Sequence, residues 1–167
     1  MSSTRKTPKW DRGKFVQYGK GNSSPEMTLT VQMVLAARRW RSLLDEHLRP
    51  IGQSAARMEA MAAIYASPPL SPQVDVARRL RIEGPTLTRM LDSLERDGLV
   101  ERLPDKTDRR TKLLRLTPLG EATLEEIFRI CDELRMKLVD GYSEDEIKAH
   151  GAFLRDLMGR IDRGLQD

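Results

Sequence analysis

A mainly α-helical fold carrying one small β-hairpin is the architecture this sequence predicts, on three observations. Apolar residues recur at three- and four-residue intervals through most of the chain, which is helix periodicity. Aromatics are only 5% of the 167 residues against 32% charged, a balance that disfavours a sandwich built on aromatic and β-branched strands. Two short segments, Leu99-Val100-Glu101-Arg102-Leu103 and Lys112-Leu113-Leu114-Arg115-Leu116, flank a polar, charge-dense segment and read as a single hairpin set between helices.

The elements follow in order. Residues 1–27 mix Ser, Thr, Gly and Pro with six basic residues, and Trp10, Phe15 and Tyr18 among them suggest that part of this basic extension docks on the body or on a partner. From Thr28 to about Arg49, Val31, Val34, Leu35, Leu44 and Leu48 keep helical spacing, and Pro50 with Gly52 ends the run. Ser54 can cap a second helix through Tyr65, with Met58, Met61, Ala62 and Tyr65 on one face, stopped by Ser67-Pro68-Pro69. Ser71 before Pro72 reads as a cap and first-turn proline opening a short helix to Leu80, with Val74, Ala77 and Leu80 inward. After the turn 81–84, Pro85 begins a helix whose buried stripe is Leu87, Met90 or Leu91, and Leu94, ended by a left-handed Gly98.

Two short helices about a glycine-containing turn describe a helix-turn-helix, and the hairpin that follows makes a wing whose tip is 104–110. Thr117 and Pro118 repeat the cap-plus-proline signature for a long helix to about Asp140, with Leu124, Ile127, Ile130 or Cys131, Leu134 and Leu138 near heptad spacing. Ser143 with Glu146 is a capping box for a last helix to about Arg163, carrying Ile147, Phe153 or Leu154, Leu157 and Ile161.

Charge narrows the partner. Residues 1–116 sum to +9 and 117–167 to −5, so one part of the molecule faces a polyanion and the other serves a different purpose. Thr86, Arg89, Ser93 and Arg96 lie at i, i+3, i+7 and i+10 opposite the leucine stripe. Short polar and guanidinium groups in such a row, with Thr88 beside them, suit base edges in a major groove about 12 Å wide. Pro85 opens the helix, and Thr86 and Thr88 near its start place backbone donors where a phosphate can sit. On the wing, Arg109 and Arg110 fit a narrow minor groove, Asp108 braces one of them, and Lys106, Lys112 and Arg78 or Arg79 hold phosphates. Double-stranded DNA is therefore the expected partner.

Other chemistry finds little support. The longest uncharged stretch, Ala60 to Val74, is broken by three prolines and falls short of the roughly 18 apolar residues a membrane span needs. The charged N-terminus lacks a secretory core, so cytoplasmic residence is expected. His47 and His150 stand far apart with no ligand pattern, so no metal or other cofactor is expected. No glycine-flanked nucleophile or phosphate-cradling loop appears, which argues against an enzyme and leaves no catalytic residue to name. The single cysteine, Cys131, sits mid-helix among Ile127, Ile130 and Leu134, where a buried inert thiol is expected; exposed and activated, it would instead make a redox switch.

The string Val76-Ala77-Arg78-Arg79-Leu80, Pro85-Thr86-Leu87-Thr88-Arg89, Leu91 to Leu94, Asp97-Gly98-Leu99-Val100, Asp108-Arg109-Arg110 and Leu116-Thr117-Pro118-Leu119-Gly120 resembles the multiple antibiotic resistance regulator (MarR) family. The likeness covers about Thr28 to the end, and its pieces are specific in combination. It implies a winged helix-turn-helix homodimer joined by the first, fifth and sixth helices, a palindromic operator, and a small aromatic or phenolic effector that lowers DNA affinity. The organisation expected is then an extension at 1–27, supporting and dimerisation helices at 28–66, a DNA-binding lobe at 67–116 and dimerisation helices at 117–167. By the same analogy Trp40, His47, Met58, Met61 and Tyr65 line the effector pocket, although three of them at helical spacing also read as plain core. The extension is longer than in shorter members, and its role is not inherited from the family. A non-specific DNA binder and a protein-interaction winged helix remain as alternatives.

Overall fold

The computed structural model of the chain describes residues 24–105, 107–108 and 110–164. The expected docking of Trp10, Phe15 and Tyr18 lies outside them. The described residues belong to two compact units, one ending at Leu43 and the other beginning at Leu44.

The first unit contains most of helix α1, Pro25–Leu48. It starts three residues earlier than the apolar pattern suggests, because Pro25 is suited to a first turn and the Ser24 hydroxyl accepts from the Met27 N–H at 3.3 Å. Val34 and Leu35 are about half exposed.

In the second unit the end of α1 buries Leu44 and Leu48, and a 3₁₀ turn at Arg49–Ile51 closes on Gly52 at φ +69°, the left-handed conformation that glycine adopts without strain. Asp45 Oδ1 then accepts the Ala55 N–H at 2.7 Å, fastening α1 to the start of helix α2, Ala55–Tyr65. Ser54 caps α2 as its sequence predicts, accepting from the Arg57 N–H. The buried face differs from the predicted one: Ala55, Ala60, Met61, Ala63 and Ile64 are buried, whereas Tyr65 is exposed. The cause is that α2 is surrounded by four other elements, so its small alanines face neighbours on several sides.

Ser71 does not cap the next helix. Ser71–Pro72 forms a two-residue strand, β1, antiparallel to the later wing strand with Ser71 opposite Leu114, and the Ser71 hydroxyl donates to the Pro68 carbonyl at 2.7 Å. Helix α3 accordingly runs Gln73–Leu80, burying Val76 and Ala77 and leaving Val74 exposed. It ends at Arg81, which takes the left-handed conformation (φ +55°) uncommon for a residue with a side chain. Helix α4, Gly84–Arg96, buries Leu87, Leu91 and Leu94 completely, each contributing about 1.5–3 kcal/mol by leaving water. Gly98 (φ +69°) turns the chain into the wing, as expected.

The wing is β2, Val100–Pro104, antiparallel to β3, Lys112–Leu116, with Val100 opposite Leu116 and Leu103 opposite Leu113. With β1 this gives a three-stranded sheet in the order β1-β3-β2. Thr117 pins its base: the Thr117 N–H donates to the Leu99 carbonyl at 3.0 Å, its hydroxyl donates to the Gly98 carbonyl at 2.6 Å, and the same oxygen accepts from Gly120 N–H. Helix α5, Pro118–Leu138, buries Leu124, Ile127, Cys131 and Leu134 on the predicted stripe, while Leu138 is exposed. Helix α6, Glu144–Asp162, opens with the predicted capping box between Ser143 and Glu146 and buries none of its side chains against the described residues. Asp162 at its end pairs with Arg81 through two contacts of 2.7 Å.

Candidate nucleic-acid interface

The leucines of α4 dictate what its other face presents. With Leu87, Leu91 and Leu94 inward, Thr86, Arg89 and Arg96 are exposed, and neither arginine has a hydrogen-bond or ion-pair partner among the described residues. Arg89 lies near the middle of the helix and is exposed. The other members of the predicted row are engaged inside the protein. Ser93 Oγ accepts from Arg57 Nη1 at 2.6 Å, and Thr88 Oγ1 accepts from Gln73 Nε2 at 2.8 Å while donating to the Gly84 carbonyl at 3.0 Å. The Thr86 N–H, expected to face a phosphate, donates to the Glu83 carbonyl at 3.1 Å. Pro85 follows Gly84 in the first turn.

Between α3, the start of α4 and the wing lies a cleft of about 570 Å³ lined by Arg78, Gly84, Ile82, Arg110 and Lys112 among others. Arg78, Arg110 and Lys112 were each expected on the phosphates, or in the minor groove, from spacing alone, and the fold brings these three cations to one concavity. Arg78 is tied to Asp75 at 2.7 Å in an exposed i,i+3 pair that water screens heavily. Arg79, Arg110 and Lys112 are exposed, without a side-chain partner among the described residues. Lys106 and Arg109 lie outside the described residues.

The tip around them is ordered by carboxylates. Asp105 Oδ1 accepts from the Thr107 N–H and hydroxyl, both at 2.6 Å, and from the Asp108 N–H; the Thr107 hydroxyl is the chief influence that lowers the Asp105 pKa. Asp108 braces the turn through the Arg110 backbone N–H at 2.9 Å and the Thr111 hydroxyl at 3.0 Å. Its bond to Arg110 thus uses the main chain and leaves the guanidinium exposed.

Two further arginines, not singled out by the sequence, hold α4 in place. Arg102 on β2 reaches Asp92 Oδ1 at 2.6 Å and Glu95 Oε2 at 2.5 Å, fastening the wing to α4. The Arg102 hydrogen bond holds the Glu95 carboxyl below its ordinary range, and the same bond raises the guanidinium's pKa. Arg57 on α2 takes Ser93 and Asp97. Asp92 and Glu95 one turn apart on a helix, followed past a glycine by a strand with a lone arginine, was a readable signal for the first. No local pattern announces the second.

The residues expected at an effector pocket differ in their surroundings. Met61 is fully buried in the core, Met58 is half-buried with its sulfur 3.4 Å from Cys131 Sγ, and His47 is exposed. Trp40 belongs to the first unit, half-buried. Tyr65 lines a cavity of about 440 Å³ with Pro68, Leu70, Leu114 and Leu116. Burial raises the Cys131 pKa, away from the thiolate that redox chemistry needs. Among the described residues no group of His, Cys, Asp or Glu could hold a metal ion, and no helix is long and apolar enough to cross a membrane.

Comparison with known proteins agrees with this geometry. Residues 54–112, from the α2 cap to the first residue of β3, match the MarR family model. Among solved structures, the transcriptional regulator PA3341 is 30% identical over 81% of this chain and 98% of its own, with a TM-score of 0.72. A cysteine-to-serine mutant of MarR from E. coli, complexed with operator DNA, is 28% identical over 78% of this chain and 93% of its own (TM-score 0.72). MepR from S. aureus in complex with DNA is 27% identical over 78% and 96%, again with a TM-score of 0.72. A helix-turn-helix with an unpaired arginine row, a cationic cleft under its wing, and this likeness across nearly the full length of the relatives converge: the chain belongs to the MarR family of DNA-binding transcriptional regulators.

Proposed function

We propose that the protein is a homodimeric repressor that binds a palindromic operator and is released by a small aromatic or phenolic ligand. The observation that carries the DNA part is the exposed Arg89 on α4, without a partner among the described residues, together with the cleft lined by Arg78, Arg110 and Lys112 where α4 starts. In this reading α4 enters a major groove, Thr86 and Arg89 reach base edges, Arg110 reaches the flanking minor groove, and Arg78, Arg79 and Lys112 neutralise phosphates. Lys106 and Arg109 are proposed, from the sequence alone, to hold a phosphate and to reach the minor groove. Thr88 and Ser93, bonded to Gln73 and Arg57, support the helix more than they read bases.

Dimerisation is supported by α6. Ile147, Phe153, Leu154, Met158 and Ile161 are all exposed on a helix that packs none of them, an apolar face that calls for a second copy. Two recognition helices then meet half-sites centred about 34–36 Å apart, one duplex turn. A ligand that alters this separation releases the operator. Tyr65, its ring exposed beside the 440 Å³ cavity, favours an aromatic ligand.

Selection of bound duplexes from a random pool tests the reading. Enrichment of a two-fold palindrome is expected; enrichment of no sequence would remove the operator from the proposal. On the selected duplex, Arg89→Ala is expected to cost about 1–3 kcal/mol and relax sequence preference. Arg110→Ala should weaken matched and scrambled duplexes alike and flatten the salt dependence by about one phosphate-equivalent. Equal losses on both duplexes for Arg89→Ala would contradict its role as a base reader.

A further inference from the structure

Arg57 is the least exposed of the arginines around α4, its side chain retaining 15% of its accessible surface. Its guanidinium makes three hydrogen bonds: Nε donates to Gln53 Oε1 at 2.9 Å, Nη1 to Ser93 Oγ at 2.6 Å and Nη2 to Asp97 Oδ2 at 2.6 Å. A cation this far out of water is tolerated because each of its three nitrogens has an acceptor and Asp97 supplies the opposite charge. Ser93 and Asp97 stand one turn apart at the C-terminal end of α4. Bonds to both fix the rotation of the helix about its own axis, where a single bond would leave a pivot.

The leucine stripe sets the same rotation from inside, but apolar packing is non-directional, whereas a planar guanidinium fork is satisfied in one orientation. The distinction matters on the outer face. With side chains about 5–6 Å from the axis, a roll of roughly 20° moves an outer atom by about 2 Å, enough to break a hydrogen bond to a base edge. Phosphate contacts made by long, mobile Lys and Arg side chains survive such a roll.

We propose that Arg57 is a positioning residue for base reading: from α2 it sets the roll of α4, so that Arg89 and Thr86 meet base edges while Arg57 itself touches no DNA. The inference rests on the reading of α4 as the sequence-reading helix.

The test uses the full chain with the selected duplex and a scrambled duplex of equal length and composition, each titrated across a salt series. Arg57→Met is expected to weaken binding to the selected duplex about tenfold, as befits lost bonds to a charged group, and to leave the scrambled duplex and the salt slope unchanged. Arg57→Lys keeps the charge but not the fork and should fall between wild type and Arg57→Met. Should Arg57→Met fail to fold, Ser93→Ala and Asp97→Ala carry the same test, since each removes one acceptor of the Arg57 guanidinium and should lower the selected-to-scrambled ratio. An unchanged ratio, equal losses on both duplexes, or a salt slope reduced by about one phosphate would overturn the proposal. A wild-type protein without sequence preference would remove the operator reading along with it.

Discussion

At Gly120 a Cβ would stand 2.0 Å from the Leu99 carbonyl oxygen, a contact between two backbones that neither can relieve by changing a rotamer. Gly120→Ala must therefore push the start of α5 away from the wing base, at about 1–3 kcal/mol or more. A Tm lower by about 5 °C is expected in thermal unfolding, and an unchanged Tm would show that α5 is free to shift. Cys131 makes the opposite kind of claim. It is fully buried against Ile127 and Leu134 on α5 and beside Met58, and burial raises its pKa, so at neutral pH it is a thiol. A thiol reagent should modify it only at the rate the protein opens; labelling of the folded protein as fast as of the denatured one would reinstate a redox role. The sequence had already placed Cys131 on an apolar stripe, because burial on a helix follows a local period. Nothing local, by contrast, announces that Arg57 would find Ser93 across 36 residues.

Elements were legible where their determinants lie within a few residues. Ser143 and Glu146 form their capping box, Thr117 caps α5 and Ser54 caps α2, each through an i,i+3 bond that the chain carries with it. Ser71 was misread for the complementary reason: its partner is Leu114 on β3, a pairing no local rule can see, and taking Ser71 as a cap placed Val74 on the wrong face of α3. The contact between α4 and β2 leads to a prediction about acid. Arg102 holds Glu95 below its ordinary value of 4.5, so the folded state binds this proton less readily than the unfolded chain does. The stabilisation is therefore present above that value and lost as pH falls through the lowered one. Glu95→Gln should flatten the stability profile below about pH 4.5, read by denaturant unfolding at several pH values; an unaltered acid limb would mean the contact does not persist in solution.

For the whole molecule, the decisive surface is the one that a single chain leaves uncovered. Because α6 buries no side chain against the described residues, charges at Phe153 and Leu154 should leave the protomer folded while splitting the proposed dimer. Phe153→Glu with Leu154→Glu is expected to sediment as a monomer and to lose tight binding to a palindrome, since only one half-site is then held. Wild-type protein sedimenting as a monomer would contradict the dimer outright. The wing shows a different property at this scale. Thr117 closes the hairpin on Gly98 and Leu99, so the anchoring of the wing base uses no residue between Asp105 and Thr111. On the proposed reading, reach along the duplex can thus evolve separately from sequence choice: residues gained, lost or recharged at the tip leave the hold of Thr117 on the wing base unchanged.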